Sequence, residues 1–210
     1  MKKLVALTMA LVMTFAFGYV TMASTIGIGA GEGFSVEVVK QIDPSVDPTT
    51  INGYFGVNEQ LQLSLGYTTE IEAKNFGVRY AFADNMAVTF DYETTDAADA
   101  MELGLRYKSD LNEQLALVGI LSYAEISSDY AFLENSAIGL TGQAEYKLAE
   151  NVVGNLGFKY ASPDKGDATT DIIAGIEFYP VEQISAYVDY TMVDDKNADN
   201  TIVLGASYSF

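Results

Sequence analysis

From about residue 25 to the C-terminus, apolar and polar side chains alternate with a period of two. In residues 202–210, for example, the even positions are all apolar, while most odd positions are small or polar. Such alternation is typical of β-strands that have one apolar and one polar face. The first of the alternating segments is compatible with one long strand or with two short ones. We count twelve segments, at residues 25–40, 51–57, 60–68, 71–82, 86–93, 100–108, 114–125, 136–148, 152–161, 169–179, 184–193 and 200–210.

The connections between these segments alternate between two kinds. Five are short and chemically similar, at residues 58–60, 83–85, 110–113, 149–151 and 180–183. The other six are mostly longer and acidic, at residues 41–50, 69–70, 94–99, 126–135, 162–168 and 194–199. All four prolines, which cannot donate to a strand ladder, fall in predicted connections: Pro44, Pro48, Pro163 and Pro180. Tight turns at one end and longer loops at the other are typical of an outer-membrane β-barrel with an even number of strands. The sequence therefore predicts an all-β, antiparallel, up-and-down transmembrane barrel of twelve strands, with ten as the alternative.

The N-terminus has the layout of a secretory signal peptide. Lys2 and Lys3 precede an apolar run from Leu4 to Phe17, and a small-residue stretch ends at Ala23. A membrane anchor is the alternative, but this run is shorter than the roughly 20 residues that a spanning helix needs. We therefore predict cleavage after Ala23, export from the cytoplasm, and a single barrel domain at residues 24–210.

Composition narrows the possible functions. The 210 residues include 29 acidic and 11 basic residues, for a formal net charge of -18, and this excess argues against a nucleic-acid partner. The chain contains neither Cys nor His, so it lacks the usual thiolate nucleophile, general base and zinc ligands. We predict no cofactor and no metal site.

Aromatic residues recur at the ends of the predicted strands on the apolar face. Rings at both interfaces are expected of a membrane barrel, whereas a soluble β-sandwich would turn its apolar face inward and need no such belts. The predicted outer belt comprises Tyr67, Tyr92, Tyr123, Tyr160 and Tyr190. The predicted periplasmic belt comprises Phe82, Tyr107, Tyr146, Phe178, Tyr208 and Phe210. This pattern favours the membrane interpretation.

The C-terminal sequence Gly205-Ala206-Ser207-Tyr208-Ser209-Phe210 resembles the terminal signature of Gram-negative outer-membrane β-barrel proteins. It departs from that signature at Val203, where a polar residue is usual. The resemblance implies that Gly205, Tyr208 and Phe210 serve recognition by the barrel-assembly machinery. It also implies an outer-membrane location, and in size the chain is similar to small twelve-stranded porins.

Two possible sites of chemistry are weakly supported. Outer-membrane barrel enzymes resemble hydrolases or acyltransferases that use His, so Asp91, Glu93 and Glu102 are better interpreted as a solvated wall than as a catalytic group. The glycine-rich segment 27–33 fails the spacing of a phosphate loop. Strict alternation instead predicts its four glycines on one face of a strand, where they relieve crowding. We therefore predict that the protein is not an enzyme.

The polar face predicts the lining of the barrel interior, because a charged side chain facing lipid would cost roughly 2–4 kcal/mol at mid-membrane. Its predicted acids are Glu37, Asp91, Glu93, Glu102, Glu145, Asp171, Glu177 and Asp189, and its predicted bases are Arg79, Arg106, Lys108, Lys147 and Lys159. In one interpretation, these residues line a water-filled passage that favours cations. The alternative is that ion pairs, such as Lys159 with Asp171 or Arg79 with Asp91, close the interior. Since about eight strands are filled by side chains, twelve favour a narrow pore.

The outer loops concentrate acidic residues, which suggests either capture of divalent cations or a solvated surface. The loops lack EF-hand spacing, and this favours the solvated surface. Tyr130, Phe132 and Leu133 give one loop an apolar tip that could contact lipid, the pore or a partner. The sequence predicts a porin-like channel for small hydrophilic solutes, in contact with outer-membrane lipids and lipopolysaccharide. The alternative is a closed structural or surface-interaction barrel.

Overall fold

The computed structural model describes residues 33–42, 47–130, 134–194 and 200–210. The predicted signal peptide, most of the glycine-rich segment, and the loop residues Phe132 and Leu133 lie outside these ranges. Within them, no helix is long and apolar enough to cross a membrane.

Twelve β-strands form one closed antiparallel barrel in which each strand pairs with its sequence neighbours and the first pairs with the last. The strands are β1 Gly33–Ile42, β2 Thr49–Gly56, β3 Leu61–Thr68, β4 Ala73–Ala83, β5 Met86–Thr94, β6 Asp99–Asp110, β7 Leu115–Ser127, β8 Asn135–Ala149, β9 Val152–Pro163, β10 Thr169–Val181, β11 Ile184–Met192 and β12 Thr201–Ser209. The prediction of twelve strands is confirmed, and the alternative of ten is wrong.

Two of the five short turns share one type of local hydrogen bonding. Asn58 accepts through Oδ1 from the backbone N–H groups of Gln60 and Leu61, both at 2.8 Å. Asn112 does the same for Gln114 and Leu115, both at 2.9 Å. An asparagine side chain that bonds to the backbone two and three residues on stabilises a tight reversal of the chain.

The prediction that all four prolines lie in connections is wrong for two of them. Pro163 is the last residue of β9, and Pro180 lies within β10 rather than in a connection. The register between β10 and β11 shifts between Phe178 and Val181, so Pro180 lies where the ladder is already interrupted. A strand tolerates proline at its end or at a bulge because no ladder hydrogen bond is lost there.

The barrel is closed where β1 meets β12. Their register pairs Glu37 with Ser207, and the backbone N–H of Phe210 donates to the carbonyl of Phe34 at 2.8 Å. Gly33 opens β1 with a φ of 127°, so it departs from the regular strand conformation that we predicted for the glycine-rich segment. The preceding glycines lie outside the described residues.

The outer surface of the barrel is apolar. Large hydrophobic residues on every strand are well exposed, including Leu65, Leu103 and Leu156 at 54–65%. Their register partners on neighbouring strands share the same face, which gives a continuous apolar band around the barrel. A soluble protein has a mostly polar outer surface, whereas an apolar band of this kind suits contact with lipid.

Candidate functional site: the barrel interior

The structure places the predicted lining residues on the inner wall, opposite the apolar band. Eight of them are buried: Glu37, Glu93, Arg106, Glu145, Lys159, Asp171, Glu177 and Asp189. Four are half-buried: Arg79, Asp91, Glu102 and Lys108. Lys147 is exposed near the short-turn end of β8. Their contribution to a channel stays a prediction.

One carboxyl group on β1 collects three hydrogen bonds. Tyr187 donates to Oε1 of Glu37 at 2.8 Å, while Tyr54 and Asn52 donate to Oε2 at 3.0 and 3.1 Å. These donors come from β11 and β2, so the cluster spans the place where the barrel closes. Neither tyrosine is among the residues predicted from the sequence, although a tyrosine at a polar position of the alternation is a usable signal for an inward-facing donor.

A second group of charges lies across β4, β5 and β6. Asp91 interacts electrostatically with both Arg79 and Arg106, and Arg106 also interacts with Glu102. Residues 102 and 106 share the inner face of β6 because their positions differ by an even number. Opposite charges therefore alternate along this side of the wall.

The third group reaches from β9 to β11. Lys159 and Asp171 are direct cross-strand partners, and Lys159 interacts electrostatically with Asp171, Asp189 and Glu102. Asn155 donates to Oδ1 of Asp189 at 3.1 Å. Glu102 also belongs to the second group. The electrostatic interaction between Glu102 and Lys159 therefore links the second group to the third.

A salt bridge that was not among the predicted pairs joins β6 to β8. The Nζ atom of Lys108 lies 3.1 Å from Oε2 of Glu145. Glu145 is buried and Lys108 is half-buried, so water and salt screen this ion pair less than they screen an ion pair on the surface. It spans β7, whose inner face carries no charge.

The inner face of β7 is uncharged and, apart from Ser122, apolar. Ala116, Val118, Ile120, Ala124 and Ile126 on this strand are all buried. Both faces of β7 are apolar over much of its length, which weakens the alternation in the sequence. The interior is therefore divided by an uncharged strip that lies between Arg106 on β6 and Lys159 on β9.

Several backbone and side-chain hydrogen bonds link the outer connections. Ser128 donates to the carbonyl of Ala97 at 2.6 Å, and Asn135 exchanges two hydrogen bonds with the backbone of Lys165. A groove of about 340 Å³ lies beside Asn135 and Lys165. Within the described part of the chain, no group of three or more acidic side chains is arranged to hold a metal ion.

The aromatic residues predicted for the two belts are all on the outer surface. They are 38–47% exposed, apart from Phe210 at 76%. Phe210 contacts Phe34 and Tyr208, with ring centroids 5.6 and 4.7 Å apart. Their location at the membrane interfaces stays a prediction.

Comparison with solved structures finds porins. The KdgM porin superposes with a TM-score of 0.67 at 13% identity, covering 84% of this chain and 99% of that chain. The NanC porin gives a TM-score of 0.67 at 12% identity, covering 84% and 100%. An outer membrane channel from Pseudomonas putida F1 gives 0.59 at 10% identity, covering 85% and 96%. The chain therefore has the fold of outer-membrane porins.

Comparison at the level of sequence adds no relative. No family model matches the chain, and no curated protein matches it.

Proposed function

We propose that the protein is a narrow outer-membrane channel for passive diffusion of small hydrophilic solutes. The observation that carries the proposal is the contrast between the two faces of the barrel wall. The outer face is a band of exposed apolar side chains, while the inner face carries ionisable groups on eight strands. A hydrophilic passage requires a polar inner wall, and twelve strands enclose more space than the eight or so whose interior side chains fill.

The acid excess on the inner wall supports a preference for cations. Acidic side chains outnumber basic ones among the lining residues, and fixed charges of one sign enrich the opposite ion in a narrow passage. A solved neighbour is the KdgM porin in complex with disordered oligogalacturonate. An acidic oligosaccharide of that kind would be repelled by this wall, so we infer a different solute class.

A closed barrel is the second candidate, and one observation favours it. Lys159, Asp171 and Asp189 are 2–4% exposed, so little of their surface is open to water. Buried charges are tolerated when they pair with one another. In this version the interior network holds the barrel together and the loops contact lipopolysaccharide or a partner.

Conductance of the refolded protein in a planar lipid bilayer separates the two candidates. We expect discrete conductance steps and, in a salt gradient, a reversal potential that indicates cation preference. A protein that inserts with heat-modifiable migration but conducts nothing supports the closed barrel. Anion preference contradicts the proposed role of the inner-wall acids.

We also propose the route to the membrane. The signal-like residues 1–23 would direct export, and the terminal Gly205, Tyr208 and Phe210 would engage the barrel-assembly machinery of a Gram-negative cell. Once inserted, the barrel would contact outer-membrane lipids and lipopolysaccharide, and it would act without enzymatic activity or a cofactor. Cell fractionation of the full chain, compared with a chain that lacks Phe210, tests this route.

A further inference from the structure

The connection between β3 and β4 turns toward the barrel interior. Its Ile71 side chain is half-buried and packs against Ala98, Ala100 and Ile126. Ala100 and Ile126 are cross-strand partners on the inner faces of β6 and β7. Ile71 therefore reaches past β4 and β5 to the inner faces of β6 and β7 at this end of the barrel.

The backbone of this connection has an unusual conformation. Glu70 and Glu72, on either side of Ile71, have φ values of 62° and 52°. They are the only non-glycine residues with positive φ in the described ranges, and such conformations cost roughly 1–3 kcal/mol each. A residue keeps such a conformation only where surrounding contacts hold the chain in place.

Hydrogen bonds to the start of β2 supply those contacts. The backbone N–H of Thr69 donates to the carbonyl of Thr49 at 2.8 Å. In return, the N–H of Thr49 donates to Oγ1 of Thr69 at 3.1 Å and to Oε2 of Glu70 at 3.2 Å. The hydroxyl of Thr69 also donates to Glu70. The base of the connection is thus fixed while its tip carries an apolar side chain.

The residues that receive Ile71 are also held in place. The carbonyl of Ala98 accepts from the backbone N–H and from the hydroxyl of Thr95, both at 3.0 Å. Ser128, close to Ile126 in sequence, donates to Ala97 at 2.6 Å. The receiving surface is therefore a small ordered apolar patch rather than a free loop.

A carboxyl group lies next to this apolar contact. Glu93 is the cross-strand partner of Ala100, and its side chain is 1% exposed. Within the described part of the chain, neither of its oxygens has a hydrogen-bond partner. The apolar contact therefore lies beside a buried carboxyl group of the inner wall.

We propose that Ile71 is a hydrophobic constriction residue that limits the size of solutes entering from the outer mouth. This inference rests on the proposed channel function. A hydrophobic constriction in a polar passage opposes the entry of hydrated solutes because they must give up water there. A solute larger than the remaining gap must displace Ile71 from Ala100 and Ile126.

Single-channel conductance of Ile71→Ala and Ile71→Gly tests the size limit. We expect at least a twofold rise in conductance, and in liposome swelling assays entry of sugars that the parent chain excludes. Ile172→Ala is the matched control, because Ile172 is 39% exposed on the outer face of β10.

A conducting parent with unchanged Ile71 variants contradicts the constriction. A parent and variants that are all silent contradict the channel function itself. A silent parent with a conducting Ile71→Ala variant supports the constriction.

A disulfide tests the position of Ile71 independently of conductance, since the chain has no cysteine. The double substitution Ile71→Cys with Ala98→Cys should cross-link under mild oxidation, detected as a mobility shift that reductant reverses. Ile71→Cys with Ala116→Cys is the control, because Ala116 lies at the other end of β7. Failure of the first pair to cross-link contradicts the inward position.

Discussion

The hydroxyl of Tyr187 donates to Oε1 of Glu37 at 2.8 Å, linking β11 to β1 across the intervening β12. The tyrosine ring reaches Glu37 by lying over Gly205. A Cβ atom at position 205 would be only 2.0 Å from Cζ of Tyr187. The hydrogen bond that spans the closing strands thus depends on the absence of a side chain at one residue of β12.

Gly205→Ala should destabilise the barrel, because the added methyl group overlaps the ring of Tyr187. We expect a loss of roughly 1–3 kcal/mol in the free energy of unfolding, as for overpacked cores. Urea unfolding of protein refolded in detergent measures this without the assembly machinery. Gly119→Ala is the control, since a Cβ there has no atom within 4 Å. Equal stability of the two variants would show that Tyr187 moves aside at no cost.

The hydrogen bond itself should make a measurable contribution. In a double-mutant cycle of Tyr187→Phe and Glu37→Gln, we expect a coupling of about 1 kcal/mol or more, typical of a buried hydrogen bond. The control cycle combines Tyr160→Phe with Glu37→Gln, because Tyr160 is 39% exposed on the outer face and does not face Glu37. Additive effects of the two substitutions would exclude a direct contribution from this contact.

The sequence predicted the strands well because each residue of a barrel wall has only two directions to face. Predicted boundaries such as 152–161 and 184–193 lie within two residues of β9 and β11. Short-turn positions were equally clear, since Asn58 and Asn112 have the local chemistry of tight turns. The twofold alternation thus determined the strand count before any contact was known.

Contacts between distant strands were not predictable in this way. Alternation places Tyr187 inside but does not show that it reaches Glu37, which lies 150 residues away in sequence. The same holds for Lys108 and Glu145, which are separated by the whole of β7. Nor did Ile71 carry a signal, because it was assigned to a predicted strand and its inward turn depends on positive φ values at its neighbours.

Glu93→Gln should stabilise the barrel. The Glu93 side chain is buried, and neither carboxyl oxygen has a hydrogen-bond partner in the described ranges. An amide of the same shape removes the cost of burying a carboxylate, so we expect a gain on the order of 1 kcal/mol. The shift in the temperature of heat-modifiable migration at neutral pH measures it. Glu59→Gln, in an exposed short turn, should leave that temperature unchanged. A loss of stability would indicate that Glu93 has a partner in the native membrane.

Ion selectivity should respond in opposite directions to two substitutions on β6. Glu102→Gln removes an acid from the inner wall, so the reversal potential in a salt gradient should move toward anion preference. Arg106→Gln removes a base from the same face and should move it toward cation preference. Arg106 is 7% exposed, so heat-modifiable migration must first show that this variant closes its barrel.

The control for selectivity is Glu182→Gln, which removes an equal charge from the exposed turn between β10 and β11. Because that turn lies outside the barrel interior, the reversal potential should change much less than for Glu102→Gln. Salt dependence gives a second check, since fixed charges act within a Debye length of about 10 Å at 0.1 M and less at 1 M. If Glu102→Gln and Glu182→Gln shift the potential equally, the inner wall of β6 does not border the path of the ions. Ions would then be selected at the mouths of the barrel rather than within it.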